Sequence, residues 1–308
     1  MVYGTSLENG GENLRKRSKR SKILRRAKFS SSCFLLPSIL GVLLFFLIPF
    51  AVVVYYAFVD NPVGGSFVWF ENFVRVWKNA AFKQAARNTL TFSLIAVPLT
   101  VILSLMLAMI LEAKIPMKSQ FRTFFLSPMM VPVASVVLIW QVIFHYNGAL
   151  NGLLGHFGVD PIDWLKSGYS QIVIVLLFLW KNLGYDMILF MAAISGIPKE
   201  QLEAAEVDGA GAWTRFWMIK LRYISPSLLF VTILSLINSF KIFREVYLLT
   251  GKYPYESLYM LQHFMNNTFL NIDYQKLSAA AIIMFTFMLI IIGILFFIEA
   301  RFGKDVEQ

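Results

Sequence analysis

Two short clusters of polar side chains interrupt otherwise apolar stretches of this sequence: Lys181, Asn182, Tyr185 and Asp186 in one, Asn238, Lys241, Arg244 and Glu245 in the other. An ionised group near the middle of a bilayer costs at least about 2.5–3.5 kcal/mol on insertion scales, so such residues turn toward a bundle interior or water. Two readings stand. The clusters line a path for a polar solute, or they are structural ion pairs, Lys241 with Glu245 four residues on and Lys181 with Asp186 across a turn. Chemistry of other kinds finds no support. Gly251-Lys252 lacks the upstream glycine spacing and the hydroxyl of a phosphate-binding loop, so this chain is not expected to hydrolyse ATP. His145, His156 and His263 have no partner at metal-ligand spacing, and neither His-Glu-x-x-His nor Gly-x-Ser-x-Gly is present.

A different kind of cluster runs from Ile197 to Phe216, a charged island between two apolar stretches. Pro198 suits the first turn of a helix and Gly209 the left-handed residue that ends one, so a helix of roughly ten residues is predicted. Helices below about 12–15 residues are marginal alone, and this one must be held by packing. Leu202, Ala205 and Gly209 share a slim face, while Glu200, Glu203, Glu206 and Asp208 stay solvated or meet basic groups. That is the pattern of a helix docking closely against another protein.

The elements that must position these clusters follow from composition. Of 308 residues 57% are hydrophobic and 15% charged, against about 25% charged in an average soluble domain, so the chain reads as a polytopic membrane protein. Apolar runs at 33–59, 88–111, 121–144, 171–194, 224–249 and 277–298 each reach the length of about 20 residues that spans a bilayer. The first is longer than the apolar core of about 7–15 residues in a signal peptide, so it is read as a span. Lone Cys33 excludes an internal disulfide framework. The net charge of +10 is concentrated in residues 15–28, which hold nine of the 28 basic residues; this tail is read as loosely ordered and lipid-touching rather than as a nucleic-acid site. Alternate loops carry eighteen and seven Lys and Arg, and the positive-inside rule then puts both termini and the 195–223 loop in the cytoplasm.

On the outer side, Trp69, Phe70, Phe73, Trp77 and Phe82 suit an interfacial segment or an ordinary aromatic belt. The 145–170 loop, with turn signals at Asn147-Gly148, Asn151-Gly152 and Asp160-Pro161, could cap the outer mouth. Pro128 and Pro132 invite a kink in the third span. The uncharged sixth span is simplest as a peripheral one.

The run Glu203-Ala204-Ala205, Asp208-Gly209-Ala210, Phe216, Ile219, Leu221 and Pro226 resembles the "EAA" loop of binding-protein-dependent ABC importer permeases, in the variant of the sugar permeases related to the maltose and glycerol-phosphate systems. Asn88-Thr89-Leu90, Pro128, Pro132, Trp140, Asn147 to Asn151, Trp164-Leu165, Trp180, Ser239-Phe240 and Leu248 to Gly251 extend the resemblance over residues 35–300. Arg222 departs from the family's usual proline, and Gly251-Lys252-Tyr253-Pro254 from its usual Gly-Gly-Pro. An altered loop geometry with the docking helix retained is expected.

The resemblance implies an all-α membrane protein with six transmembrane helices and the type I ABC importer permease fold. Its parts would be a basic tail (1–30), a first helix with an outer segment (31–84), a five-helix core (85–301) with a coupling loop at 196–222, and a short C-terminus (302–308). It implies a cell-membrane permease subunit translocating a sugar or oligosaccharide, on whose apolar faces Trp180, Tyr185 and Phe240 are available to stack. Partners would be a second permease subunit, two copies of a cytoplasmic ABC ATPase, an extracytoplasmic solute-binding protein and membrane lipid, with no nucleic acid. No cofactor is expected on this chain, ATP and Mg being used by the ATPase. Glu203, Ala204, Ala205, Asp208 and Gly209 would couple to the ATPase. Lys181, Asn182, Tyr185, Asp186, Asn238, Lys241 and Arg244 would line the path. The alternatives are a permease for a polyamine, phosphate ester or peptide and, in other classes, an ion-coupled secondary transporter or a membrane anchor.

Overall fold

The computed structural model describes residues 35–112 and 116–302; the basic tail, Cys33, Lys114 and Lys304 lie outside the described residues. In chain order the helices are α1 (Leu35–Ala57), α2 (Glu71–Lys78), α3 (Ala80–Glu112), α4 (Lys118–Met130), α5 (Val133–Phe144), α6 (Ala149–Gly155) and α7 (Ser170–Ser195). They continue with α8 (Lys199–Val207), α9 (212–223), α10 (Ser225–Lys241), α11 (Phe243–Thr250), α12 (Leu261–Leu270) and α13 (Tyr274–Phe302). Among the described residues six segments are long and apolar enough to cross a membrane: Leu35–Ala57, Ala80–Glu112, Val133–Gly155, Ser170–Ser195, Ser225–Thr250 and Tyr274–Arg301.

The third segment departs from the single helix expected over 121–144. Val131 and Pro132 are extended, with ψ of 130° and 140°, so α4 and α5 are separate helices. Pro132 has no N–H to donate and drives Val131 out of the helical region, whereas Pro128 stays inside α4.

The core forms where α7 lies along α3. At 33 residues α3 is about 50 Å long, more than a hydrocarbon layer of about 30 Å requires, and the division drawn at 84/85 falls inside it. Its buried face carries a stripe of small residues three or four apart, Ala85, Thr89, Ser93, Ala96, Thr100, Ser104 and Ala108, flanked by Phe82, Phe92, Val97, Val101 and Leu111. In lipid, close backbone approach over such a stripe is what holds helices together. The hydroxyls of Thr89, Thr100 and Ser104 donate to carbonyls of their own helix at 2.9, 2.7 and 3.1 Å, and those of Ser93 and Ser239 share a 2.9 Å bond across to α10. Against the stripe α7 buries Val173, Ile174, Leu177, Phe178, Met187 and Phe190. By contrast α1 and α13 pack on each other at the periphery and bury nothing in their most apolar windows, as suits lipid-facing spans.

The outer connections are tied by side-chain amides. Asn151 donates to the carbonyls of Tyr146 and Ile162, both at 2.8 Å, and accepts from Ile162 N (3.2 Å) and Trp164 Nε1 (2.9 Å), folding the 145–165 loop around one residue. Asn88 donates to the carbonyls of Glu256 and Tyr259 at 2.6 and 3.0 Å, and Thr89 Oγ1 accepts from Leu261 N at 2.9 Å, pinning the 256–261 segment to the start of α3. Trp69, Phe70 and Trp77 are exposed as an interfacial segment requires, whereas Phe73 is half-buried against the core. Phe82, expected among them, is instead 2% exposed, because its ring meets Phe264 edge-on at 5.4 Å.

His263, in α12 and outside the spans, is fully buried beside Phe243, Tyr247 and Tyr259. Its Nδ1 accepts from Met260 N at 3.3 Å, so Nε2 carries the proton, and Nε2 has no partner among the described residues. Burial lowers its pKa from 6.5 to about 4. The unfolded chain therefore takes up a proton below pH 6.5 that the folded one refuses, and stability falls as pH drops from 6.5 to about 4, then stops falling on this account. The expected loss is about 3 kcal/mol at most. Melting of the detergent-solubilised protein across that range should show it, and His263→Gln should flatten the profile; an unchanged profile would refute the assignment.

Candidate functional site

The fourth span (α7) and the fifth (α10 with α11) are sewn together by three polar rungs. Lys181 pairs with Glu245, Asn238 Nδ2 donates to Asn182 Oδ1 at 3.1 Å, and Ser235 Oγ donates to Asp186 Oδ2 at 2.5 Å. These pairings correct the two expected within each segment. Glu245 is taken by Lys181 of the neighbouring span, so Lys241, four residues before it, is left out of the pair although both line the same cavity. Asp186 points away from Lys181 to the buried hydroxyl of Ser235 and is itself 0% exposed.

Beside the upper rungs lies a cavity of about 560 Å³. Lys181, Asn182, Tyr185, Asn238, Lys241 and Arg244 line it, six of the seven residues expected on a solute path. Asp186 does not, being sealed between helices. Of the aromatics expected to stack on solute, only Tyr185 reaches the cavity; Trp180 stacks on Trp140 at 5.3 Å and Phe240 is buried. Glu245 and Gln262 add polar groups to the wall, and Met129, Val133, Phe178, Leu234 and Ile242 make its apolar part. Met129 and Val133 flank the Pro132 break, so that break shapes the site. Gln262 carried no signal in the sequence, since it arrives from the connection after the fifth span.

The short loop helix joins these same two spans. Pro198 precedes α8 as its N-cap, and Gly209 has φ +80°. Ala210 N donates to Ala205 O at 2.9 Å and Gly209 N to Glu206 O at 3.1 Å, the paired bonds that close a helix through a left-handed residue. Leu202 packs on the core and Ala205 is half-buried, whereas Glu203, Ala204, Glu206 and Asp208 face outward. Arg215 of α9 reaches back to Glu206 at 2.6 Å. Sequence reading missed the apolar part of this surface: Val207 is 88% exposed, with Trp213, Trp217 and Met218 beyond it. The signal was available, since apolar side chains amid glutamates gain nothing from water unless a partner covers them. Phe216–Lys220 forms one π-helical turn, and Arg222 beyond it lines an apolar cavity of about 550 Å³ with Glu299 and Arg301. At the other departure, Lys252 lies over the Tyr253 ring at 5.3 Å.

Comparison with known proteins places this geometry. The family model described as "Binding-protein-dependent transport system inner membrane component" matches residues 101–304. The chain is 30% identical over 240 residues to the lactose transport system permease protein LacF of Rhizobium radiobacter, covering 76% of this chain and 80% of that protein. It is 31% identical over 242 residues to the trehalose/maltose transport system permease protein MalF of Thermococcus litoralis, covering 78% and 81%. Among solved structures, a bacterial ABC transporter involved in the import of the acidic polysaccharide alginate has a chain of the same fold, with TM-score 0.74 and 24% identity over 94% of this chain and 99% of that one. A multi-pass, all-α chain with this match belongs to the family of binding-protein-dependent transport system inner membrane components.

Proposed function

We propose that this chain is a permease subunit of an ATP-driven ABC importer and translocates a sugar or oligosaccharide delivered by an extracytoplasmic solute-binding protein. The observation that carries this reading is mechanical: the two spans that bring every charged residue to the cavity wall are the two that the exposed loop helix connects. A push on α8 is a push on α7 and α10 together. With both termini cytoplasmic, as the loop charges favour, two ATPase subunits closing on ATP would drive the loops of this chain and a second permease together. The attached spans would turn, and the cavity would open outward to receive solute. Relatives named for lactose and for trehalose/maltose transport support a saccharide. ATP and Mg belong in this reading to the ATPase.

In the loop, Glu203 and Ala204 meet the ATPase directly, the small side chain of Ala205 allows close approach, Asp208 stands at the C-cap position and Gly209 ends the helix. Ala204→Trp adds bulk on an exposed face, so folding should be spared while docking is blocked. The expected result is normal membrane abundance, loss of copurifying ATPase and uptake reduced by at least about tenfold, the loss of roughly 1.4 kcal/mol of docking. Normal uptake by the variant would remove α8 from the coupling path. Uptake driven by an ion gradient without ATP would instead mark a secondary transporter.

A further inference from the structure

We propose that the cavity between the fourth and fifth spans is built for a saccharide carrying a negative charge. The inference rests on the reading of the chain as a sugar permease and adds the class of sugar. Three cations line the cavity, Lys181, Lys241 and Arg244, and one carboxylate, Glu245. That carboxylate is committed to Lys181, with its side chain 6% exposed. Asp186, the other acid on these helices, is buried against Ser235 and contributes nothing to the wall. Lys241 and Arg244 are exposed, and neither makes a hydrogen bond or ion pair with any of the described residues. The site thus holds two positive charges, within the fifth span, that no acid among the described residues meets.

Charge without a counter-charge is costly where water is scarce, and a solute that brings the anion removes that cost as it enters. A neutral sugar leaves it in place. The guanidinium of Arg244 offers paired donors that match a carboxylate, phosphate or sulfonate, and Lys241, three residues earlier, offers a mobile point charge. The other polar groups of the wall suit hydroxyls: Asn238 gives its amide to Asn182 and keeps its carbonyl oxygen to accept, and Tyr185 and Gln262 add a ring and a second amide, while Met129, Val133, Phe178, Leu234 and Ile242 offer apolar surface to the faces of a sugar ring. The structure therefore combines an anion hold with a hydroxyl-reading wall.

The test is uptake by the complete importer in ATP-loaded proteoliposomes, with its own binding protein, using three labelled probes: a galacturonate dimer, a hexose phosphate and maltose. The expected result is uptake of one of the two anionic probes well above maltose, with the carboxylate and phosphate arms telling which anion is read. Lys241→Gln with Arg244→Gln, both on exposed side chains, should lower anionic uptake by roughly tenfold or more at unchanged membrane abundance, and Arg244→Lys should retain part of it. Maltose uptake equal to the anionic probes and indifferent to the double substitution would overturn the inference while leaving the sugar permease standing, the two charges then being met by acids of the partner subunit. Failure of all three probes, with ATP-dependent uptake of an amino acid or polyamine, would overturn the sugar reading and the inference with it.

Discussion

Glu245→Ala is expected to cost the chain much of its stability, because it strands Lys181 between the fourth and fifth spans. Glu245 has 6% of its side chain exposed and Lys181 23%, so the pair is held out of bulk water but touches the cavity. Removing one partner of a buried pair costs about 3–5 kcal/mol, since the remaining charge keeps its desolvation and loses its compensation. Access to the cavity lets Lys181 recover part of this, which puts the expectation at the lower end. Lys181→Met should be as harmful through the stranded carboxylate. Lys181→Met with Glu245→Leu should be milder than either alone, because the strandedness rather than the loss of attraction is the main cost. Melting temperature and membrane abundance of the four proteins decide it. A double variant whose loss equals the sum of the two singles would show that the pair does not hold the spans.

The pair also marks where reading the sequence stops. Charged residues inside apolar runs announced a polar interior at 181–186 and 238–245, and length with hydrophobicity placed the spans carrying them. Which charge met which was not legible: Lys181 and Glu245 are 64 residues apart, and local spacing favoured partners on the same helix. Lys241 stands at helical spacing from Glu245 and is passed over because Lys181 reaches the carboxylate from the neighbouring span, a choice that only the packing of the two helices makes. The Pro132 break was half legible, since proline predicts a disruption without fixing whether the helix bends or ends. The loop helix was the most legible element, because Pro198 and Gly209 punctuate it through their own backbone restrictions. The stripe from Ala85 to Ala108 was written in the sequence at three- and four-residue spacing, yet small residues are silent on hydropathy alone.

That close packing has its sharpest consequence at Gly184, where we expect alanine to be nearly as damaging as loss of the ion pair. Gly184 sits in α7 facing α4, and a Cβ there would lie 1.8 Å from the carbonyl oxygen of Phe125, 2.3 Å from its carbon and 2.9 Å from Leu126 N. All three are backbone atoms, so no rotamer change relieves the clash and α4 must move by more than 1 Å as a body. Overpacking of this kind costs about 1–3 kcal/mol, occasionally more, and the displaced helix carries Met129 and leads through the Pro132 break to Val133, both in the cavity wall. Gly184→Ala should therefore reduce both thermal stability and uptake per molecule in the membrane. Gly293→Ala provides the contrast: it adds the same methyl group to a span where a Cβ meets nothing within 4 Å, and it should be silent or slightly stabilising. If the two variants behave alike, α4 does not press on α7 at Phe125. If Gly184→Ala keeps its stability but loses uptake, the contact positions the cavity wall rather than holding the fold.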